Sequence, residues 1–286
     1  MGENGSQPGV RAVEVRRRAP GSVPILILAG LFVAATFLAW YFTWFGRELS
    51  DADISQYLAD EKNPRHVQHA LLQIQQRIER GDATSKSWYP QLVTLSGSPE
   101  TEFRLTVAWL MGFDNNAPQF HEALLKLLKD SEPIVRRNAA LALVRFNDPA
   151  GHDELLSILS PYVVKASANG VVASSLQEGN TVSRTTLLAR INQPDGTVIG
   201  VRSPLLGRIQ KLFKANGAQV SAGDELLSLN ADENSVWEAL RGLSLIGTAE
   251  DAPVVATYAN STEVSGKIRE QANLTLRAIQ ARIKTS

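Results

Sequence analysis

Hydrophobic patterning changes character three times along the chain. Val23–Phe45 is an uncharged run of 23 residues. From the end of that run to Ser160, apolar residues recur at helical spacing, in paired segments separated by Asp, Asn, Pro and Gly. Between Tyr162 and Leu229 the pattern turns into short β-rich runs punctuated by glycine, and helical spacing resumes near Asn234. The pattern therefore predicts one long apolar helix, paired amphipathic helices, a β segment and a return to helices.

The second helix of each pair aligns with its neighbours. Its starts are Val67, Phe103, Val135, Val236 and Ile268, spaced 36, 32, 101 and 32 residues apart. Each start has an apolar partner four positions later (Leu71, Val107, Ala139, Leu240, Ala272). Most have another at seven (Ile74, Leu110, Ala142, Leu243), which is one stripe of a helix. First helices are expected at Phe120–Leu128, Asp153–Leu159 and Pro253–Tyr258. With a period of 32, the long interval carries 69 extra residues, the size of the β segment. The β segment thus falls in the loop between two helices of one repeat, an insertion that costs little loop-closure entropy when its ends are adjacent. Asp130–Leu143 resembles a HEAT-type repeat of the short bacterial variety. That resemblance implies an α-solenoid whose repeats bury each other's faces.

The β segment is itself duplicated. Ala168–Val172, Gln177–Val182 and Leu187–Ile191 are matched in order by Pro204–Ile209, Ala215–Val220 and Gly223–Leu229. The two halves supply a core of Val172, Leu176, Val182, Leu188 and Ile191, with Ile209, Leu212, Val220, Leu226 and Leu229. Gly170 and Gly207 read as turn glycines, since no Gly-Lys-Ser/Thr follows to make a phosphate loop. This duplicated pattern resembles the biotinyl/lipoyl-like domain, a flattened barrel of two interlocked halves. In carrier members of that family, a lysine on the hairpin joining the halves bears the cofactor. Here the joint is Asn192–Val198, a Pro194-Asp195-Gly196 turn without lysine. Lys211 and Lys214 lie inside the second half. The resemblance therefore implies a non-lipoylated module of the kind found in membrane fusion proteins of bacterial export systems. Those proteins carry a long helical hairpin where this chain has only a turn.

The uncharged run is long enough to cross a hydrocarbon core of about 30 Å. A signal peptide is the competing reading, but its apolar region is shorter and ends in a small-residue cleavage site. This run ends in the aromatic belt Trp40–Phe45. Arg11, Arg16, Arg17 and Arg18 precede it, and Glu48, Asp51 and Asp53 follow Arg47. The positive-inside rule then places the N-terminus in the cytoplasm and the remainder outside. The span holds no ionisable group and reads as an anchor only.

Composition excludes more than it assigns. Basic and acidic residues number 29 each, so no net field favours nucleic acid, and the absence of cysteine excludes disulfides and thiolate chemistry. His66 and His69 have a spacing compatible with shared metal ligation, but no third ligand accompanies them, and two ordinary histidines is the favoured reading. Arg104, Arg136 and Arg269 follow the first apolar position of their helices. They are expected to pair with acids between repeats, with Asp114 and Asp148 as candidates. Asp130 and Glu132 read as acids at a helix N-terminus. Ser203 in Ser-Pro-Leu-Leu-Gly lacks the spacing of a nucleophile elbow. Lys211 and Lys214 beside Phe213 read as a solvated barrel edge.

The expected organisation is a disordered cytoplasmic tail over 1–22, a transmembrane anchor over 23–45 and HEAT-like repeats over 46–160. A lipoyl-like β domain over 161–231 follows, with HEAT-like repeats resumed over 232–286. The fold class is multidomain: one transmembrane helix, and an α-solenoid with an inserted all-β barrel-sandwich hybrid. The expected function is a non-catalytic scaffold on the outer face of the bacterial cytoplasmic membrane, serving envelope transport or assembly. A carrier or regulatory subunit of a biotin- or lipoate-type enzyme complex is the alternative. No catalytic, cofactor-binding or metal residues are assigned, and the expected partners are the membrane and other proteins, not nucleic acid.

Overall fold

The computed structural model describes residues 22–44 and 48–285. They belong to two compact units that divide after Leu49. In the first, helix α1 runs Ser22–Trp44 with no acidic residue in its first turn and no basic residue in its last. Its side chains are described from 24 to 39 and are exposed throughout, a stretch about 24 Å long at the helical rise. Among the described residues no helix is long and apolar enough to cross a membrane. Both ends of the expected span, and the tail over 1–21, lie outside the described side chains.

The second unit is built from helix pairs. They are α2 (Asp51–Ala59) with α3 (Pro64–Glu79), α4 (Tyr89–Leu95) with α5 (Thr101–Met111), and α6 (Pro118–Leu127) with α7 (Pro133–Arg145). Then come α8 (His152–Ile158) with α9 (Glu233–Ile246), and α10 (Ala252–Asn260) with α11 (Gly266–Thr285). Sequence punctuation sets the starts. Pro64, Pro118 and Pro133 open α3, α6 and α7, where a missing N–H and a fixed φ cost nothing. Ser50 and Asp53 form a reciprocal capping box on α2. Asp232 caps α9 by accepting from the Asn234 and Ser235 amides at 3.0 and 3.2 Å. The stripe at positions one, five and eight of every second helix is buried, from Val67, Leu71 and Ile74 in α3 to Ile268 and Ala272 in α11. Thr275 takes the eighth position in α11. It is fully buried, and its hydroxyl lies 2.8 Å from the Leu240 carbonyl and 2.9 Å from that of Gln271.

Strands β1 (Tyr162–Lys165) to β8 (Glu225–Ala231) all lie between α8 and α9. The others are β2 (Gly170–Ala173), β3 (Thr181–Val182), β4 (Leu187–Asn192), β5 (Val198–Arg202), β6 (Gly207–Leu212) and β7 (Gln219–Val220). They make two four-stranded antiparallel sheets, ordered β1-β8-β6-β3 and β5-β4-β2-β7. One order becomes the other by exchanging the halves, β1 for β5, β2 for β6, β3 for β7 and β4 for β8. Each sheet therefore takes two strands from each half, and each short strand pairs with a strand of the other half. The exchange extends to single bonds. Gly179 N donates to Ile209 O as Gly217 N donates to Val172 O, both at 2.8 Å. Thr185 N to Ser203 O matches Gly223 N to Ala166 O, again both at 2.8 Å. Thr185, a non-glycine residue at φ 71°, occupies the place of Gly223 at φ 93°.

The core between the sheets contains Val172, Val182, Leu188 and Ile191 with Ile209, Val220, Leu226 and Leu229, while Leu176 and Leu212 are partly buried at its margin. Neither sheet closes into a barrel, in contrast to the expected barrel. The outer strands β3 and β7 are two residues long and cannot carry a ladder across the seam. Gly170 and Gly207, expected in turns, are instead the first residues of β2 and β6 and are close-approach positions. A Cβ on Gly170 would lie 2.4 Å from Asn192 O, and one on Gly207 would lie 2.3 Å from Asn230 O.

Because β1 pairs with β8 from Tyr162↔Leu229 onward, the chain enters and leaves the β module side by side. The helices on either side then pack as one repeat: Leu155 and Ile158 of α8 share a cluster with Val236, Leu240 and Leu243 of α9. Gly207→Ala is expected to destabilise the module by about 1–3 kcal/mol, the range for forcing extra atoms into a packed site. Its effect should be matched by Gly170→Ala, and both should appear as a lowered midpoint in denaturant unfolding.

Candidate functional site

Two interactions recur where the helix pairs stack, and a third feature is a cleft. The first is an arginine ladder. Arg104 grips Asp130 with two bonds, 2.6 and 3.0 Å, and donates to the Ser98 and Pro99 carbonyls. Arg136 binds Glu154 at 3.0 Å and the Asp130 and Ser131 carbonyls. Arg269 donates to Val264 O at 2.6 Å. Arg104 and Arg136 do bridge repeats, but their acids are Asp130 and Glu154. Among the described residues Arg269, against expectation, binds only carbonyls of the loop between α10 and α11. The expected acids, Asp114 and Asp148, bind Tyr89 and His121 instead. Burial alone would raise the Asp130 carboxyl, but the Arg104 fork and the Glu132 amide outweigh it and hold the carboxyl below its ordinary range. In the fourth repeat the β module replaces the inter-helix loop, and the acid for Arg136 comes from α8.

The second joins the first helix of a pair to the aspartate that follows its second helix. Tyr89 donates to Asp114 at 2.8 Å, and burial together with that acceptor pushes the phenol up to about 12. His121 Nε2 meets Asp148 Oδ2 at 2.5 Å. His152 spans the insertion: Nε2 lies 2.8 Å from Asp251 Oδ2, while Nδ1 lies 2.9 Å from Asp153 Oδ1. Burial disfavours the charged ring, yet the two carboxylates prevail and its pKa is raised above 6.5. Both ring nitrogens face acceptors, which suits the imidazolium.

The third lies on the exposed side of the second helices, beside the buried stripe. The seventh position is Trp109 in α5 and Leu141 in α7, but Gly242 in α9. There a Cβ would meet Leu155 Cδ1 at 2.7 Å, so packing against α8 calls for glycine, and this buried glycine lines a cleft of ≈ 340 Å³ between α5, α7 and α9. Trp109, Leu141 and Leu245 give it apolar walls, and Arg145, Arg241 and Glu238 rim it. Trp109 is 40% and Leu245 58% exposed, unusual for large apolar side chains set beside one another. The Arg145 guanidinium stacks 4.7 Å from the Phe113 ring, which meets Trp109 edge-on at 4.4 Å. Arg241 stacks 5.4 Å from the Trp237 ring and lies 3.9 Å from Glu238.

The remaining candidate residues have local partners. His66 Nδ1 sits 2.8 Å from Asp60 Oδ2 and stacks on Tyr57, whereas the His69 ring faces Gln73 at 2.9 Å. The pair does not converge on a common point. Among the described residues no group of three or more His, Cys, Asp or Glu could hold a metal ion. Asp130 Oδ1 accepts from the Glu132 amide at 2.8 Å. Ser203 Oγ donates to Leu205 O at 2.6 Å in a buried turn. Lys214 pairs with Asp224 at 3.1 Å, and Lys211 lies 5.5 Å from the Phe213 ring. The joint between the halves is a tight β4–β5 hairpin. Gln193 N donates to Thr197 O at 2.8 Å, and Gly196 stands at φ 85°.

Two features had no counterpart in the sequence reading. The cleft draws its rim from Arg145 and Arg241, 96 positions apart because the β module intervenes. Only the off-stripe tryptophan at 109 hinted at it. The other is Arg137 at the junction, 5% exposed, with no hydrogen-bond partner for Nε among the described residues. Its nearest carboxylate oxygen, on Glu154, is 4.0 Å away. Burial lowers its pKa, opposed by Glu154, Asp232 and Tyr162.

Comparison with known proteins agrees on the helical part. The HEAT repeats family profile matches residues 89–173, so the chain contains a HEAT-repeat region. The match runs past α8 into β1 and β2, because the second helix of that repeat is displaced to α9. No curated protein matches the chain. Among solved structures, a single-chain, multi-domain long-chain acyl-CoA carboxylase matches at 18% identity over 34% of this chain and 10% of that one. Its TM-score is 0.24, and the match carries no argument about fold or chemistry.

Because folding raises the His152 pKa, its contribution to stability is complete below 6.5 and disappears as pH rises through the folded-state value. The melting temperature should therefore fall as pH rises above about 6.5, the ordinary histidine value. His152→Gln should lose that slope, visible as a difference between the two pH profiles.

Proposed function

We propose that the protein is a non-catalytic scaffold anchored in the bacterial cytoplasmic membrane, with its HEAT repeats and β module on the outer face. The observation that carries this reading is the β module itself, two interlocked halves set within one helical repeat. Its joining hairpin presents Pro194-Asp195-Gly196, where a carrier of the biotinyl/lipoyl-like family would present a lysine. Proline, aspartate and glycine side chains offer no amine for acyl transfer, so the module is kept for binding. The HEAT region supplies the extended recognition surface that stacked repeats provide. The uncharged run Val23–Phe45, the arginines before it and the aromatic residues at its end support the anchor and its orientation. The resemblance of the module's sequence pattern to non-lipoylated export-system modules points to partners in envelope transport or assembly.

A C-terminal alkaline phosphatase fusion is expected to be active in whole cells, and a reporter that works only in the cytoplasm should be silent at the same position. The opposite pattern overturns the topology. The intact mass of the purified chain should show no biotin or lipoate, and either adduct would turn the reading into that of a carrier. Capture of the full chain from detergent-solubilised membranes should retain a constant set of proteins. If none is retained, the scaffold reading falls.

A further inference from the structure

We infer that the cleft between α5, α7 and α9 binds an extended acidic segment of a partner protein, in which a large apolar side chain is flanked by carboxylates. The inference rests on the scaffold reading and specifies the ligand chemistry of that surface. Volume comes first. A space of ≈ 340 Å³ holds one large side chain and a few backbone atoms, not a packed helix pair or a fold. Gly242 and Ala142 line it without side-chain bulk, and its walls are Trp109, Leu141 and Leu245. Burying one leucine or phenylalanine there removes exposed apolar surface from both partners.

Charge then selects the flanks. The rim carries two guanidinium groups against one carboxylate. Glu238 lies at 3.9 Å from Arg241 with both side chains largely exposed, an ion pair too weak to compete with a ligand. Each guanidinium is already positioned by an aromatic face, Arg145 by Phe113 and Arg241 by Trp237. A ring against the flat face of a guanidinium does not consume its N–H donors, which lie in the plane and can fork a carboxylate. Arg145 spends one donor on a long 3.4 Å contact with Gly112 O. Asn138 donates to Leu105 O at 3.1 Å, which ties α7 to α5 and fixes the cleft width. A basic segment would meet two arginines with one glutamate as relief, and is disfavoured.

The test is fluorescence anisotropy on the full chain in detergent, with two labelled probes, acetyl-Glu-Leu-Asp-Leu-Glu-amide and its counterpart with lysine at every acidic position. The acidic probe should bind, more weakly as salt rises, and the lysine probe should not. Arg145→Gln and Arg241→Gln should each weaken binding about tenfold, the loss of one charge-assisted contact. Trp109→Ala should weaken it without changing the salt slope. Unchanged circular dichroism confirms that the exposed arginine variants fold. Equal binding of both probes, no binding of either, or indifference to both arginine substitutions overturns the inference. If those results come while the full chain still retains its set of partner proteins, the cleft assignment alone fails and the scaffold reading stands.

Discussion

The antiparallel pairing of β1 with β8 is the constraint on which the second unit depends. Tyr162 and Leu229 face each other across that pair, so a module of about seventy residues leaves the helical path and returns to it within one strand spacing. Without that pairing, α8 and α9 would be two strangers separated by a β fold. With it, Leu155 packs on Leu240 and Leu243, and the repeat buries the same stripe as its neighbours. Contacts that bridge the insertion tighten the arrangement. His152 reaches Asp251, and the Tyr258 hydroxyl donates to Leu159 O at 3.0 Å, each across 99 positions. Away from the junction, Arg184 of the β3–β4 turn forms an ion pair with Glu102 of α5.

Much of this was legible in the sequence because it is governed by local periodicity. The stripe of the second helices depends only on spacing within one helix, and it landed on buried residues from Val67 to Ala272. The Pro-Asp-Gly hairpin and the two-part β pattern were legible for the same reason, since turn chemistry and strand alternation act over a few residues. What failed was anything set by distance in space. Asp114 and Asp148 lie at plausible positions for the arginine ladder, but the stacking of repeats brings Asp130 and Glu154 to the guanidinium groups. The cleft was hidden because Arg145 and Arg241 come together only after the β module is folded out of the way. Closure into a barrel was overestimated, because the lengths of β3 and β7 are set by their flanking turns and not by hydrophobic pattern.

Buried charge follows a similar division. Asp130 and Asp251 lie inside, and each is met by a cation or by backbone donors. Arg137 is the exception, held among Glu154, Asp232 and Tyr162 with no hydrogen bond to its Nε among the described residues. Desolvating a guanidinium without full compensation is costly. Its place is the seam where α7, α8 and both connections to the β module converge, so the cost falls on the one position in the unit where two architectures must share a boundary.

The exchange symmetry of the β module has a topological consequence. Swapping the halves carries the β4–β5 pair onto the β8–β1 pair, so the hairpin at Pro194–Gly196 and the junction with the helices are equivalent ends of one object. The chain is continuous at one and open at the other, and the fold itself does not distinguish them. A circular permutant, joined across the present junction and opened at the hairpin, would draw the same sheets with attachment and tip interchanged. The module is in effect a two-ended plug, and which end is seated in the repeat is decided by where the chain is cut.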